Sequence, residues 1–571
     1  MKLSRNIGKT CKDDPKEAQT ASHRLLLRGG YIKQVSAGLY ACMPLFVRTL
    51  NKLIGMARAK MNQADGVELS IPVLQPKELW TESQRWAPYT DIDGSMFSFR
   101  DRRGSYLCLG LGAEEALSEI MRREINSYKQ LSKLVYQIRP QYYDDIRPRF
   151  GLIRPRESTV CEAYGFEAYD VDPEDFCRLI KATVHHIGQG LELKQVWAES
   201  LASDEDGGRG LDLVAITADG EDRLLLCEAC GYTATIEKAE SKLPVYPHDQ
   251  GMKTLKAVYG PGLIGVDALA EFLKIPVWVT TKTLIFQADE KVVAVMVRGD
   301  CDVNEAKVKA FLKCYTLTLA APDVIKELTD AEVGYAGPIN LPKDVTVLAD
   351  HYTNNRVNFE CGANRTDYHY INANFGRDFP RPIFGDFKLA RPDQGCPRCH
   401  DGLLTEVQGM KIGQLIQSRS RYSDKFNCTY LDADGKTRPV FLSRCGLDLT
   451  KMIAAVVEQH HDRNGILWPT PIAPFLVHLV GLNLEKEEVR NLAEELYRKL
   501  QEEGLETLFD DRDARAGEKF GDADLLGLPV RLAMSKRTAT EKKVELKLRA
   551  GDAAEMLTWE EAIQAIKKYL D

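Results

Sequence analysis

Four arginines, Arg147, Arg149, Arg154 and Arg156, crowd the stretch Asp144 to Glu157 around a Phe150-Gly151 turn. A guanidinium presents a planar fork of N–H donors that matches phosphate oxygens, so this cluster suits a loop that grips phosphates or an RNA end. A solvated basic hairpin would carry the same residues. Four cysteines offer a different chemistry: Cys227 and Cys230 form one C-x-x-C pair, and Cys396 and Cys399, followed by His400, form another. Thiolates at that spacing can reach one ion, and two pairs complete a tetrahedral zinc site. The pairs stand too far apart for a local ribbon, which fits a domain inserted between two halves of one site.

These residues need elements to hold them. Val135, Tyr136 and Ile138 predict a strand ending ahead of Pro140, just before the arginine loop. Thr20 to Gly29 has a threonine where a helix starts and a glycine where it ends. A second helix is predicted over Val47 to Met61, with Val47, Leu50, Ile54, Ala57 and Met61 on a core face, and Val67 to Leu74 reads as one strand. In the middle of the chain, Lys282 to Asp300 alternates as two strands around a turn. Val303 to Leu312 follows as a helix with Val303, Ala306, Ala310 and Phe311 on its apolar side. A later helix turns Leu449, Met452, Ile453, Val456, Val457 and His460 inward. The C-terminal part opens with a buried strand, Phe475 to Val480, and a helix from about Leu484 to Glu503 stopped by Gly504. Its alternating strands and helices predict a small α/β domain with helices on both faces of the sheet.

A chain of 571 residues is too long for one core, so three or four domains are expected. With 76 basic against 83 acidic residues the net charge is −7. That balance argues against non-specific binding to nucleic acid, and hence against a DNA-coating protein, but leaves room for a local basic site. No apolar run approaches the roughly 20 residues that span a bilayer, and the N-terminal stretch lacks the apolar centre of a secretory signal. The expectation is a soluble cytoplasmic protein whose 14 cysteines are mostly free thiols.

Read as a whole, IRPRFGLIRPRE with the Glu-Ala-Tyr-x-Phe after it resembles motif 2 of the bacterial prolyl-tRNA synthetases, a class II aminoacyl-tRNA synthetase family. That family has Phe-Arg-Asp-Glu before the loop, with the Arg on the ATP α-phosphate; here stand Tyr142, Tyr143, Asp144 and Asp145. Pro72 and LQPxELWxES-x-RW resemble motif 1, which in the family builds the dimer interface, although Phe46 and Gln84 replace family glycines. Where the family's Thr and first Glu hold the substrate amine, this chain has Gly112 and Glu114. A carboxylate opening a helix also serves the helix dipole, so Glu114 has two readings. Lys411 and Gln414 replace the Glu and His of the family's pocket, Arg419-Ser420 replaces Gly-Thr, and Tyr422 and Ser423 persist. In motif 3, Lys451 replaces the Arg that clamps the γ-phosphate, and Asp448 replaces a glycine.

The segment from about Glu240 to Leu389 resembles the family's editing insertion, which removes alanine wrongly attached to tRNA-Pro. Its marks are Lys282, Arg298-Gly299-Asp300, Gly334 with Gly337 and Pro338, and His369 ahead of Asn372 and Asn374. The resemblance implies that Lys282 fixes the RNA end, that the Gly-Pro loop walls a small side chain, and that His369 aligns the aminoacyl group. In isolation His369 also reads as a satisfied strand histidine. DDRxxRxGxKFxDADLxGxP resembles the anticodon-binding domain, where Asp511, Arg512, Arg515, Lys519 and Phe520 would contact an unstacked loop. A solvated charged turn is the plainer alternative.

The expected fold is α/β (α+β): a class II antiparallel-sheet core in residues 1–230 and 396–465, an editing insertion in 231–395 and an anticodon-binding domain in 466–571. The expected partner is tRNA-Pro and the expected assembly a homodimer, with neither membrane nor DNA involved. The changed residues Tyr143, Asp145, Lys411, Gln414 and Lys451 beside Glu114 point to lost or weakened proline activation with deacylation of Ala-tRNA-Pro retained. The alternatives are an active proline-tRNA ligase using ATP and Mg²⁺, and a non-catalytic tRNA-binding or regulatory protein. Zinc on Cys227, Cys230, Cys396 and Cys399 is the remaining cofactor expectation.

Overall fold

The computed structural model describes residues 1–571 apart from 93, 173, 203–207, 247–250, 552 and 571. The chain packs as two units, one of residues 1–196, 213–221 and 409–571, the other of residues 197–212 and 222–408. Among the described residues no helix is long and apolar enough to cross a membrane.

In the first unit an antiparallel sheet runs in the order Thr405–Arg419 (residue 409 onward), Phe441–Asp448, Glu157–Glu167 and Lys133–Tyr142, with Val67–Glu68 added in parallel at the edge. Glu157–Glu167 is buried along nearly its whole length, which explains its almost uninterrupted apolar and small residues. The helix Leu449–Gln459 starts where Phe441–Asp448 ends, because the Asp448 carboxylate accepts the Lys451 N–H at 2.9 Å and caps the first turn. Its Leu449, Met452, Ile453, Val456 and Val457 are buried, as their spacing predicts. His460 departs from that face: it stands past the helix end with Nε2 3.1 Å from the Glu192 carbonyl oxygen.

Three local expectations fail in this unit. The helix Pro44–Gln63 starts early, with proline preset for its first turn, and buries Leu45, Phe46, Thr49, Leu53, Ala57 and Met61. Val47 is 39 % exposed and Leu50 and Ile54 are half-buried, so the core stripe lies about one residue round from the expected one. Val67 to Leu74 is not one strand, since Val67–Glu68 and Leu74–Pro76 join different sheets on either side of Pro72, which offers no N–H. The strand before the arginine loop continues through Pro140 to Tyr142. Pro140 pairs with Thr159 on one side, and the other neighbour ends at Tyr136, so its missing N–H leaves no ladder bond unmade.

Still in the first unit, a five-stranded sheet orders Thr507–Asp510, Val477–Gly481, Val530–Met534, Lys543–Leu548 and Ala554–Thr558. The helices Glu487–Glu502 and Trp559–Leu570 pack in one core with Leu479 and Leu532, while Ala523 of Ala516–Leu526 packs with Val480 and Ala533. Alternate residues of the same strands therefore carry helices on both faces, as expected.

The second unit is built on a five-stranded sheet, Leu317–Leu319, Thr281–Ala288, Lys291–Arg298, Thr346–Asp350 and Ile383–Gly385, and a three-stranded one, Lys256–Tyr259, Tyr368–Ala373 and Phe359–Gly362. The hairpin of Thr281–Ala288 and Lys291–Arg298 is the expected strand pair. The helix Glu305–Leu312 corrects its expected face. It buries Val308 and the stem of Lys307, and leaves Phe311 47 % exposed. Lys307 can be buried because its ammonium meets Asp386 at 2.6 Å and the Ala239 carbonyl oxygen at 2.7 Å.

Candidate active sites

One face of the first unit's sheet carries charge. Register sets Glu162 opposite Gln137 and Gly446, and Arg444 opposite Tyr164, so Gln137, Arg139, Glu162 and Arg444 project from the same side. The Arg444 guanidinium donates to Glu114 Oε1 at 3.0 Å and to Glu162 Oε1 at 3.1 Å. Arg139 Nε donates to Glu162 Oε2 at 2.8 Å, and Arg85 pairs with Glu115 at 2.9 Å. These six side chains are largely withdrawn from water, which such charges tolerate only when paired. The pairing is incomplete, since Glu114 Oε2 and Arg444 Nε have no hydrogen-bond partner. Burial works against the Glu114 carboxylate, yet Arg444 and the other arginines hold its pKa below the usual range; burial pushes Glu115 up against the pull of Arg85. Gly112 permits the Glu114 pose, because a Cβ there would lie 1.9 Å from Glu114 Oε2.

Beyond this cluster, Lys451 Nζ lies 5.9 Å from the centroid of the Tyr143 ring and 3.9 Å from Asp448 Oδ2. Burial, reinforced by Asp448, pushes the Tyr143 phenol up, and burial raises Asp448 against the pull of Lys451. Gln414 stands opposite Gly446 on the adjoining strand, with Lys411 three positions earlier. Asp145 organises the arginine loop: it pairs with Arg154, accepts the Arg147 N–H at 2.8 Å on Oδ1, and offers its carbonyl oxygen to Arg156 at 2.8 Å. Burial opposes the Asp145 charge, but Arg154 and that N–H hold its carboxyl low. Phe150 and Gly151 turn the chain with φ of +59° and +62°. Arg147 and Arg149 remain exposed, the latter paired with Glu221, so two of the four arginines reach outward.

In the second unit, buried His369 has Nδ1 2.9 Å from Glu360 Oε1 and Nε2 2.9 Å from the Leu263 carbonyl oxygen. Glu360 Oε2 accepts the Thr281 N–H at 3.1 Å, which ties the histidine to the strand of Lys282. Lys282 Nζ donates to Asp302 Oδ1 at 2.7 Å and to the Cys301 carbonyl oxygen at 2.9 Å, and that bond holds Asp302 low against the effect of burial. Gly334, at φ +105°, packs on Ile264, and a Cβ on Gly337 would meet the Gly362 carbonyl oxygen at 1.9 Å. Pro338 is buried next to it, and the Tyr335 ring lies 5.5 Å from that of His369. His369 and Tyr335 are thus in contact, whereas the Lys282 ammonium is engaged by Asp302 and Cys301 and meets the histidine only through the backbone tie of Thr281 to Glu360. A cavity of about 430 Å³ in this unit is lined by one of the expected marks, Arg298, together with residues outside them, among them Tyr246, Trp278, His351 and Arg356.

The charged run of the last domain is mostly tied down. Lys519 is buried and donates to the Gly481 carbonyl oxygen at 2.6 Å; Arg512 is held by Asp510 and Asp522; Asp511 accepts from Ser4; and Arg531 lies over the Phe520 ring. Arg515 is exposed. Cys227, Cys230, Cys396 and Cys399 come together with their sulfurs within 4.8 Å of one another, and His400 is exposed outside the group.

Arg139, Arg444 and Glu360 escape the sequence reading. Each is a charged residue inside an apolar strand, and Arg444 between Ser443 and Cys445, like Glu360 between Phe359 and Cys361, is the pattern of a buried charge that must have a partner.

An antiparallel sheet that carries a buried charged cradle, an inserted unit and a C-terminal α/β domain define a class II aminoacyl-tRNA synthetase. Residues 261–379 match the aminoacyl-tRNA editing domain and residues 476–569 the anticodon binding domain. The chain is 37 % identical over 567 residues to the proline-tRNA ligase of Geobacter metallireducens, covering 99 % of this chain and 98 % of that one, and belongs to the bacterial-type prolyl-tRNA synthetase family. The Syntrophus aciditrophicus proline-tRNA ligase is 39 % identical over 553 residues, 96 % of this chain and 94 % of its own. Among solved structures, the Giardia lamblia prolyl-tRNA synthetase in complex with prolyl-adenylate shares the fold with a TM-score of 0.57 at 11 % identity, over 96 % of this chain and 79 % of that one. The Cryptosporidium parvum enzyme complexed with halofuginone and AMPPNP gives 0.59 at 11 % identity, over 99 % and 79 %.

Proposed function

We propose that this chain acts on tRNA-Pro in the cytoplasm as a proline-tRNA ligase with a hydrolytic editing site. The observation that carries this reading is the end-to-end similarity to chains named for that activity. Segments 1–230 and 396–465 would join proline to tRNA with ATP and Mg²⁺, segment 231–395 would remove alanine, and segment 466–571 would hold the anticodon. Arg147, Arg149 and Arg515 are the exposed cations assigned to the RNA, where phosphate contacts make binding salt-dependent. A homodimer is part of the proposal. Val47, Val67 and Leu74, on the elements that resemble motif 1, are individually exposed at 39 %, 64 % and 47 %, apolar side chains that a partner subunit would cover.

One observation favours a second reading, in which proline activation is weak and editing is the main activity. Glu114, the carboxylate assigned to the substrate ammonium, is already paired with the chain's own Arg444. Tyr143 and Lys451 stand where two phosphate-gripping arginines are expected, and a lysine cannot reproduce the bidentate fork. The deciding experiment measures proline-dependent ATP-pyrophosphate exchange and hydrolysis of preformed Ala-tRNA-Pro on the same purified protein. Exchange at a rate typical of synthetases establishes the ligase. Little exchange with fast deacylation establishes the second reading, and silence in both overturns the two together.

A further inference from the structure

Neither activity uses the four cysteines, yet among the described residues their ligating atoms gather within 4.8 Å of one another. Cys227 Sγ lies 3.6 Å from Cys399 Sγ and Cys230 Sγ 3.6 Å from Cys396 Sγ, so each C-x-x-C pair is cross-paired with the other. These distances exceed the roughly 2.05 Å of a disulfide. They bracket, with the 4.8 Å upper limit on the group, the edge of a sulfur tetrahedron around one zinc, about 3.8 Å for a Zn–S bond of about 2.3 Å.

The backbone is shaped for the same purpose. After Cys227 the chain folds back so that the Gly231 N–H meets the Cys227 carbonyl oxygen at 2.8 Å, with Gly231 at φ +74°. After Cys396 the Arg398 N–H points at Cys396 Sγ from 3.3 Å, and the Cys396 N–H meets the Gly402 carbonyl oxygen at 2.8 Å. N–H groups aimed at sulfur stabilise thiolate. Gly402 keeps the space beside the sulfurs open, because a Cβ there would lie 2.3 Å from Cys227 Sγ and 2.7 Å from Cys399 Sγ. The Lys242 ammonium meets the Cys399 carbonyl oxygen at 3.0 Å and brings one positive charge to the edge of the group, while Arg398 is paired with Glu199.

We propose that Cys227, Cys230, Cys396 and Cys399 bind one structural Zn²⁺ that clips the entry and exit of the editing segment together. Cys230 and Cys396 are 166 positions apart, and the whole match to the editing domain, residues 261–379, lies between them. A small apolar cluster, Leu225, Tyr232, Ala234, Ala390 and Leu404, surrounds the sulfurs, and just beyond it Lys242 and Gly395 exchange backbone hydrogen bonds of 2.7 and 3.1 Å, so the ion would reinforce a closure that the entry and exit already make. With all four positions of the tetrahedron taken by protein, the ion has no open site and supplies no chemistry to substrate.

The test is metal analysis of the full-length protein purified under reducing conditions. The expected result is one zinc per chain that survives dialysis, a cobalt-substituted form with the visible spectrum of tetrahedral thiolate ligation, loss of the metal in C227S and C396S, and full retention in H400A. Limited proteolysis near residues 231–240 and 390–395 should accelerate when a strong chelator strips the wild-type protein, which keeps the test informative even if the serine variants do not fold. Metal-free protein with no change on zinc addition, zinc loss in H400A, or a Cys227–Cys399 disulfide found by peptide mapping would each overturn the proposal.

Discussion

His369 has both ring nitrogens occupied. The Leu263 carbonyl oxygen only accepts, so Nε2 must carry its hydrogen, and Nδ1 is left to face Glu360. Glu360 in turn holds the backbone at Thr281, beside Lys282. This arrangement makes Glu360 a positioning residue that fixes the histidine, the loop at Leu263 and the lysine strand at once. Replacing Glu360 by Gln should lower the rate of Ala-tRNA-Pro hydrolysis by about tenfold, and His369→Ala by about a hundredfold, with the double variant no slower than H369A. Fully additive losses, read by single-turnover deacylation, would show that the two do not act as a unit. Arg444 is the corresponding residue in the other unit. Arg444→Ser releases Glu114 and should raise proline-dependent exchange at least about tenfold, provided a melt shows that the protein tolerates the one carboxylate this leaves unpaired, since Glu162 keeps Arg139. Arg444→Lys, which keeps a cation there, should not. Equal exchange in both variants and wild type would remove Arg444 from any role in substrate selection.

At the scale of elements, Asp448 illustrates how one residue answers to two demands. As a replacement for a family glycine it would place a carboxylate near the proposed phosphate site; as the first residue outside Leu449–Gln459 it is a helix cap. Asp448→Ala should therefore cost about 1 kcal/mol in chemical denaturation, while Asp448→Asn, which still caps, should cost much less. Equal stability of all three proteins would rule out the cap. The order of strands and helices was legible because periodicity, glycine stops and proline breaks are local signals. Leu449 to Val457 packs as its spacing requires, and Gly504 ends its helix at φ +76°. What periodicity missed is set by partners distant in sequence. Lys307 is buried because Asp386 and Ala239 meet it, and Arg444 is central because Glu114 and Glu162 converge on it. The ties of Lys519 to Gly481 and Arg512 to Asp510 are invisible in a charged run whose residues read as RNA contacts or a solvated turn.

For the whole molecule, net charge −7 means that rising pH adds negative charge to an already acidic chain, and Glu167 is one place where this should be felt. It closes the buried strand Glu157–Glu167, and burial, with Asp175 and Asp172 adding to it, pushes its carboxyl up to about 7 from an ordinary 4.5. The folded chain therefore holds this proton more tightly than the unfolded chain does. Its contribution to stability is intact below about pH 4.5, falls as pH rises towards 7, and is constant above that, a loss of up to about 3 kcal/mol. His478 works in the opposite direction: buried with neither ring nitrogen bonded, it is pushed down to about 4, so its contribution is intact above 6.5 and is lost as pH falls towards 4. The two can be separated because only Glu167 still penalises the protein at pH 8. Glu167→Gln should stabilise the first unit at pH 8 by about 2–3 kcal/mol and at pH 5 by less than about 1 kcal/mol, measured by urea titration with a probe in residues 1–196. A gain that does not depend on pH would mean that the glutamine merely packs better and that Glu167 keeps its ordinary titration in the folded protein.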